Sequence, residues 1–151
     1  MAETDGVQVT SMCEYNGSAR HGLFEEFYDF LSDRVKARIS FRNDLRHGDY
    51  VKYYPDGAEY KTGSYFAGYL HGMQVYYYPS DQSNPMAWFV KEVREYYHGI
   101  PHGRFTQYDS RGNVTVVEEY FNGELVFTSE CQKDHIRTIG LHQMSLPVPD
   151  D

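Results

Sequence analysis

A His-Gly pair recurs four times in this 151-residue chain, each time with an aromatic residue five positions after the glycine. The pairs are His21-Gly22, His47-Gly48, His71-Gly72 and His102-Gly103, and the aromatics are Phe27, Tyr53, Tyr77 and Tyr108. Successive pairs lie 26, 24 and 31 residues apart. A period of this length holds one supersecondary unit, which buries its apolar side chains only by stacking on the next copy. The sequence therefore predicts an internal-repeat architecture.

The residues between the aromatic segments are typical of β-hairpin turns. A tight hairpin turn needs a residue that can adopt a positive φ, which glycine and asparagine do most readily. Such residues occur at Asn16-Gly17, Asn43, Ala67-Gly68, His98-Gly99 and Asn122-Gly123, and a second turn is marked by Pro55-Asp56-Gly57 and Ser110-Arg111-Gly112. The segments between turns are rich in Tyr, Phe, Val and Thr, which favour strands. The 15 Tyr and 9 Phe of the chain suit a pleated, half-buried surface.

Residues after each His-Gly pair are expected to alternate between the two faces of a strand. Positions one, three and five after the glycine form an odd set, which includes the four recurring aromatics. In register, this odd set is expected to form a continuous ladder across neighbouring hairpins. The even face is also aromatic in three of four units, at Phe24, Tyr50 and Phe105. Because a sheet does not leave two such faces bare, we expect it to curl over one face or to bind a partner there.

The predicted fold class is all-β, a single elongated antiparallel meander of repeated β-hairpins with a short C-terminal cap. Residues 12–127 hold the hairpin repeats, about four and a half copies. Residues 1–11 are expected to form a flexible N-terminal tail, and residues 145–151 an extended C-terminal tail. Residues 128–144 are expected to form the cap, for which a short helix is one option. The longest spacing between His-Gly pairs is explained by an insertion near residues 80–85, since insertions are tolerated in turns and not in strands.

Charge and cysteine content narrow the classes of function. The net charge is −8, with 22 acidic and 14 basic residues, which disfavours nucleic acid and anionic membranes as partners. Cys13 and Cys131 are too few and too far apart for a disulfide scaffold or a zinc site, so free thiols are expected. The sequence has neither a run typical of a signal peptide nor a long apolar segment. We therefore expect a soluble cytoplasmic protein without a cofactor.

The repeated histidines and the carboxylates are the candidates for chemistry. Equivalent histidines of successive hairpins would lie about 10 Å apart, too far to share a metal ion, so a structural hydrogen bond is the favoured role. His98 and His102 are closer in sequence, but a turn lies between them. The adjacent carboxylates Glu25-Glu26 and Glu118-Glu119 point to opposite faces of a strand. No nucleophile, phosphate-binding or zinc-protease motif occurs, and we expect no enzyme activity.

The repeat resembles the MORN repeat, and more closely its variant form with a Y-x-x-G-x-x-H-G core. The matching positions are Tyr65, Gly68, His71, Gly72, Tyr77 and Tyr78, then Tyr96, Gly99, His102, Gly103 and Tyr108, and also Phe41, His47, Gly48, Tyr53, Tyr54 and Gly57, with Asn43 replacing the turn glycine. The resemblance covers about residues 13–127. It implies an elongated, twisting antiparallel sheet with an open groove. Arrays of this kind serve as scaffolds, as oligomerisation modules and as lipid-associated segments, and they occur in bacterial antitoxin-like proteins and in large DNA viruses.

The expected function is that of a non-catalytic protein-interaction or scaffold module, which binds a protein partner or a second copy of itself. An open meander ends in unpaired edge strands, which favour association. The candidate partner-binding residues are Tyr50, Tyr54, Trp88, Phe89 and Phe105; tryptophan is enriched in interface hot spots, although core packing is the simpler role for Trp88 and Phe89. The alternatives are a peripheral phospholipid-binding module, an antitoxin-like masking protein and, as the least favoured, an enzyme that uses the groove.

Overall fold

A computed structural model describes residues 11–28, 33–80, 83, 89–132 and 135–139 of the chain. These ranges contain twelve β-strands and no helix. The strands are β1 (Ser11–Asn16), β2 (Ala19–Phe27), β3 (Val35–Arg42), β4 (Leu45–Tyr53), β5 (Glu59–Phe66), β6 (Tyr69–Leu70), β7 (Gly72–Tyr77), β8 (Val90–Tyr97), β9 (Ile100–Tyr108), β10 (Val114–Phe121), β11 (Glu124–Gln132) and β12 (His135–Ile139). The described residues accordingly include no helix that is long and apolar enough to cross a bilayer.

The strands form one open antiparallel sheet in which each strand pairs with the next along the chain. β6 and β7 both pair with β5, so they are one strand interrupted at His71. The predicted all-β meander of repeated hairpins is confirmed. The order of strands also separates the two cysteines, because Cys13 lies in β1 and Cys131 lies in β11. Nine strand-to-strand steps put them on the order of 40 Å apart, far beyond the reach of a disulfide.

The turns have the positive φ angles that the sequence predicts. Gly17, Gly68, Gly99 and Gly123 have φ between 64° and 92°. The corresponding turn of the second unit, between β3 and β4, has no glycine. Asn43 and Asp44 take the positive φ angles there, 50° and 67°. The Asp44 carboxylate accepts a hydrogen bond from the backbone N–H of Arg20 at 2.8 Å, which fixes the turn and lowers the pKa of Asp44. A short polar side chain thus compensates for the strain of a left-handed residue.

The described part of the expected C-terminal cap is strand. β11 continues to Gln132, and β12 pairs with it from Thr128 to Gln132, so the chain extends the sheet at this end. The helix considered for this region does not occur in residues 128–132 or 135–139. At the other end Ser11 begins β1. Three predicted segments lie wholly or mostly outside the described residues: the rest of the N-terminal tail, the extended tail over 145–151 and the insertion near residues 80–85.

The core lies on the face opposite to the predicted ladder. We call this the inner face; it carries the even positions after each His-Gly pair and their cross-strand neighbours. The buried residues, all on this face, are Ala37, Ile39, Phe41, Tyr50, Gln74, Glu92 and Phe105. Tyr50 is 1 % exposed, whereas the odd-set residue Met73 on the outer face is 56 % exposed. The described residues form no second layer, so we infer that the sheet curves towards its inner face and that neighbouring rings close over Tyr50.

The ring contacts explain why the inner face is the buried one. Rings on this face come from two places in the repeat, the second position after a His-Gly pair and the strand end just before a tight turn. Their centroids are 5.8 Å apart for Phe24–Phe41, 4.9 Å for Tyr50–Tyr65, 5.4 Å for Tyr96–Phe105 and 4.5 Å for Phe105–Tyr120. In mid-strand, the outer face of β4 to β10 carries a row of Val and Thr instead. The strand after each His-Gly pair, taken alone, predicts the odd-set ladder, whereas the strand before each tight turn adds further rings to the inner face.

At two of the four His-Gly pairs, the glycine lies against a glutamate side chain of the neighbouring strand. Gly22 and Gly103 have φ of 98° and 101°, which L-residues rarely adopt. A Cβ at these positions would also collide with the carboxylates of Glu14 and Glu95, which accept hydrogen bonds from the next backbone N–H. In the first and fourth copies of the motif, the glycine therefore leaves space for a glutamate side chain from the neighbouring strand.

Candidate functional site

The tight turns lie along one edge of the sheet and carry a line of exposed apolar side chains. In a meander, every second turn falls on the same edge, here the turns that follow β1, β3, β5, β8 and β10. The large apolar residues next to these turns are between 37 % and 62 % exposed. They are Tyr15, Leu45, Phe66, Tyr69, Tyr97, Ile100 and Phe121, and we call them the turn ridge. Exposed apolar side chains that cluster along one edge in this way are typical of interaction sites, whereas singly scattered ones are not.

Backbone hydrogen bonds hold each turn of the ridge against the preceding repeat. The N–H of Gly68 donates to the carbonyl of Arg46 at 2.8 Å, and the N–H of Gly99 donates to that of Leu70 at 2.7 Å. The side chain after each turn then packs on the glycine of the following turn. Tyr69 lies 3.1 Å from the position that a Cβ at Gly99 would occupy, so a side chain there would have to displace this ring slightly. The positions of the ridge residues follow from the repeat, because both the backbone hydrogen bond and the side-chain contact with the next turn glycine recur in successive hairpins.

Three of the four His-Gly histidines support the ridge. The Nδ1 atoms of His47, His71 and His102 accept hydrogen bonds of 3.2–3.4 Å from the backbone N–H of Ala67, His98 and Asn122, each at the next turn. Their rings alternate with ridge rings, at centroid distances of 5.0 Å for His47–Phe66, 5.7 Å for Phe66–His71, 5.2 Å for His71–Tyr97 and 5.4 Å for His102–Phe121. The predicted structural role agrees with this geometry.

Histidines of successive repeats are separated by an aromatic ring, so their imidazoles do not converge on one point. The exception is His98, whose ring centroid lies 5.0 Å from that of His71. The sequence suggested His102 as its neighbour instead. Across the described ranges, no group of three or more His, Cys, Asp or Glu side chains is arranged to hold a metal ion.

A second repeated contact runs along the opposite edge of the sheet. The hydroxyl of Tyr28 donates to the carbonyl of Tyr53, that of Tyr54 to the carbonyl of Tyr77 at 3.0 Å, and that of Tyr78 to the carbonyl of Tyr108 at 2.7 Å. Burial raises the pKa of the Tyr54 hydroxyl, which keeps it protonated as a donor. This edge ties each repeat to the next and is structural.

Cations and aromatic rings alternate on the inner face between β4 and β9. The ammonium of Lys61 lies 4.7 Å from the ring centroid of Tyr76, and the guanidinium carbon of Arg94 lies 4.9 Å from the same centroid on β7. Arg94 is also held by the carboxylate of Glu92 at 2.6 Å. These distances are within the range of cation–π attraction. The inner face therefore combines an apolar floor with positive charge.

The structure separates the five predicted partner-binding residues into different environments. Tyr50 and Phe105 are core residues, 1 % and 7 % exposed, so their rings have no surface to offer a partner. Tyr54 is half-buried and engaged with Tyr77. Phe89 is 47 % exposed, and Trp88 lies outside the described residues. Sequence reasoning missed the turn ridge, although its signal was present: an apolar residue stands next to the turn pair in each unit.

Two carboxylates face one shallow concavity of about 530 Å³ in the fourth repeat, which also involves His102 and Phe121. Both carboxylates are engaged by Arg104, whose backbone N–H donates to Glu95 at 2.8 Å and whose guanidinium donates to Glu119 at 3.0 Å. They lie on either side of this residue in the strand register. The arrangement is one ion pair, Arg104–Glu119, beside a carboxylate that is bound by the backbone.

Compared with known proteins, the chain matches no family model and no curated sequence. Its function is therefore argued from the geometry of its surfaces.

Proposed function

We propose that this protein is a non-catalytic interaction module of the MORN-repeat type, which binds a protein partner or a second copy of itself through the turn ridge. The observation that carries the proposal is the ridge itself, seven large apolar side chains in line along one edge and 37–62 % exposed. Covering such a surface removes apolar area from water, which is the main driving force of protein association. The aromatic residues of the ridge are of the type that dominates interface energetics.

The MORN assignment is supported by the repeated hairpin and by the roles of its signature residues. His47, His71 and His102 each accept a hydrogen bond from the next turn, and Gly22 and Gly103 each leave space for a side chain of the neighbouring strand. The histidine contact recurs in three of the four copies of the motif. A cytoplasmic setting belongs to the same proposal; it is supported by the free thiol of Cys13.

The ridge is tested by a double substitution that leaves the core intact. Phe66→Ser with Tyr97→Ser removes two central ridge rings, and Met73→Ser with Val114→Ser removes two other exposed apolar side chains as a matched control. Molar mass is measured by light scattering, and partner capture is measured by pull-down from the native source.

We expect the wild type and the control to self-associate or to capture a partner, and the ridge variant to lose this association while retaining the same β-sheet circular dichroism. A monomeric wild type that captures nothing would contradict the proposal, as would a ridge variant that associates like the control.

A further inference from the structure

Two lysines lie directly opposite each other on the inner face. Lys52 of β4 and Lys61 of β5 are a cross-strand pair in the register, and both are half-buried. Like charges in this position are destabilising. Among the described residues, neither ammonium forms an ion pair with a carboxylate within 4.0 Å. The carboxylate of Glu26 in the same row of residues is bound to Lys36 at 3.2 Å. The fold thus retains a repulsive pair that it does not neutralise.

The neighbouring row of the inner face contains a cation that the fold does neutralise, Arg94, which pairs with Gln74 and Phe105 in the register. Arg94 has the Glu92 carboxylate at 2.6 and 3.0 Å in a bidentate pair. Within the described ranges, the contacts of the Lys61 ammonium are with two rings, at 4.7 Å from the centroid of Tyr76 and 5.6 Å from that of Tyr50. A cation–π contact does not neutralise the ammonium, whose three N–H donors can also bind an anion.

The surroundings add positive charge at this point. The guanidinium carbon of Arg46 lies 5.4 Å from the ring centroid of Tyr65, which itself packs on Tyr50. Burial, followed by the charges of Lys61 and Arg46, lowers the pKa of Lys52. Although the net charge of the chain is −8, three cations thus lie on two adjacent strands, Arg46 and Lys52 on β4 and Lys61 on β5.

We infer that the inner face around Lys52, Lys61 and Arg46 binds an acidic peptide segment of a protein partner. Its carboxylates would form charge-assisted hydrogen bonds to the ammonium groups, and its apolar side chains would lie on the tyrosine rings beside them. The inference rests on the proposed protein-binding function, but it concerns a different surface from the turn ridge.

The size and depth of the site favour a short peptide over larger polyanions. Three cations match one or two carboxylates, whereas nucleic acid and anionic bilayers present many charges. Such polyanions are repelled by the acidic remainder of the molecule within a Debye length of about 8 Å. The lysines are also half-buried, so the flat surface of a bilayer would reach them less readily than a peptide chain would.

The test uses a fluorescein-labelled decapeptide of alternating Glu and Leu, with a Gln-for-Glu peptide as its control, and measures fluorescence anisotropy at low salt. The site variant is Lys52→Gln with Lys61→Gln. The charge-matched control is Lys91→Gln with Arg111→Gln, two exposed cations away from the site. Thermal unfolding of each variant is measured in parallel.

We expect the acidic peptide to bind the wild type and the control within twofold of each other, and the site variant at least tenfold more weakly. The site variant should unfold at the same temperature as the wild type or higher, because it removes a repulsive pair. The Gln peptide should not bind.

Three results would overturn the inference: no binding of the acidic peptide to the wild type, equal binding by the site variant, or lysine-dependent binding to phosphatidylserine vesicles in place of the peptide. The ridge variant Phe66→Ser with Tyr97→Ser should still bind the peptide. If the peptide fails to bind while ridge-dependent association persists, only this inference falls.

Discussion

Tyr65 and Phe66 are neighbours in the chain and lie in opposite environments. Tyr65 points to the inner face and packs on Tyr50 at a centroid distance of 4.9 Å. Phe66 points to the outer face, is 47 % exposed and lies between the rings of His47 and His71. Since successive strand residues alternate between faces, one aromatic pair before a turn supplies both core and ridge. The repeat therefore builds a stable sheet and an exposed apolar line from the same short motif.

The largest expected difference between the two environments is in stability. Tyr50→Ala removes a ring that is 1 % exposed and bonded to Gln74, and should lower the free energy of unfolding by about 3–5 kcal/mol. Phe66→Ala should cost about 1 kcal/mol or less, because its ring is already half in water. Urea denaturation measures both values. Equal losses would mean that the inner face is not the core.

The His-Gly glycine should be more sensitive to substitution than a turn glycine. Gly57 has φ of 90° with open space around it, so Gly57→Ala should cost only the left-handed backbone strain, about 1–2 kcal/mol. Gly103→Ala adds a collision with the Glu95 carboxylate and should cost more. Chemical denaturation of both variants checks the order, and the reverse order would contradict the close-approach explanation of the motif.

Gln74 is the position where the inner face departs from its aromatic pattern. Its side chain is 0 % exposed, and its Oε1 accepts a hydrogen bond from the Tyr50 hydroxyl, with 2.7 Å between the two oxygen atoms. Gln74→Met leaves that hydroxyl unpaired in the core and should cost about 1–3 kcal/mol. Adding Tyr50→Phe should recover part of the loss, which a double-mutant cycle measures. Additive losses would show that the two side chains are not coupled.

The edge opposite the ridge should respond weakly to the loss of one hydroxyl. Tyr54→Phe deletes the bond to the Tyr77 carbonyl and should cost about 0.5–1.5 kcal/mol. Tyr69→Phe on the exposed ridge is the matched control and should leave the unfolding midpoint unchanged. A similar shift for both variants would rule out the proposed tie between repeats.

The smallest expected effect is a pH dependence of the free energy of unfolding, caused by Asp44 in the turn between β3 and β4. A hydrogen bond from the Arg20 N–H lowers the pKa of Asp44 in the folded state. The stability that this bond contributes is therefore present above the pKa of Asp44 in the unfolded chain, about 4, and is lost as the pH falls through the lower folded value. Asp44→Asn should flatten the acid limb of a stability–pH curve slightly. An unchanged limb would show that the carboxylate does not stabilise the turn.

Sequence reasoning predicted the fold because its signals are local. Turn residues such as Asn122-Gly123 and the alternation in each strand fix a hairpin wherever they occur. The buried face was harder to predict, because it depends on rings from two strands, as in the contact of Phe105 with Tyr96 and Tyr120. The pairing of Lys52 with Lys61 depends on strand register, which the sequence alone does not specify.

The most direct test of the central claim is backbone hydrogen exchange, compared between the protein alone and the protein in its assembled state. If the turn ridge is the interface, amides at the turns around Phe66–Tyr69 and Tyr97–Ile100 should exchange more slowly on assembly. Those at the opposite edge, around Tyr54–Ala58 and Asp109–Asn113, should not change. Protection confined to the opposite edge, or no protection at the ridge turns, would contradict the account.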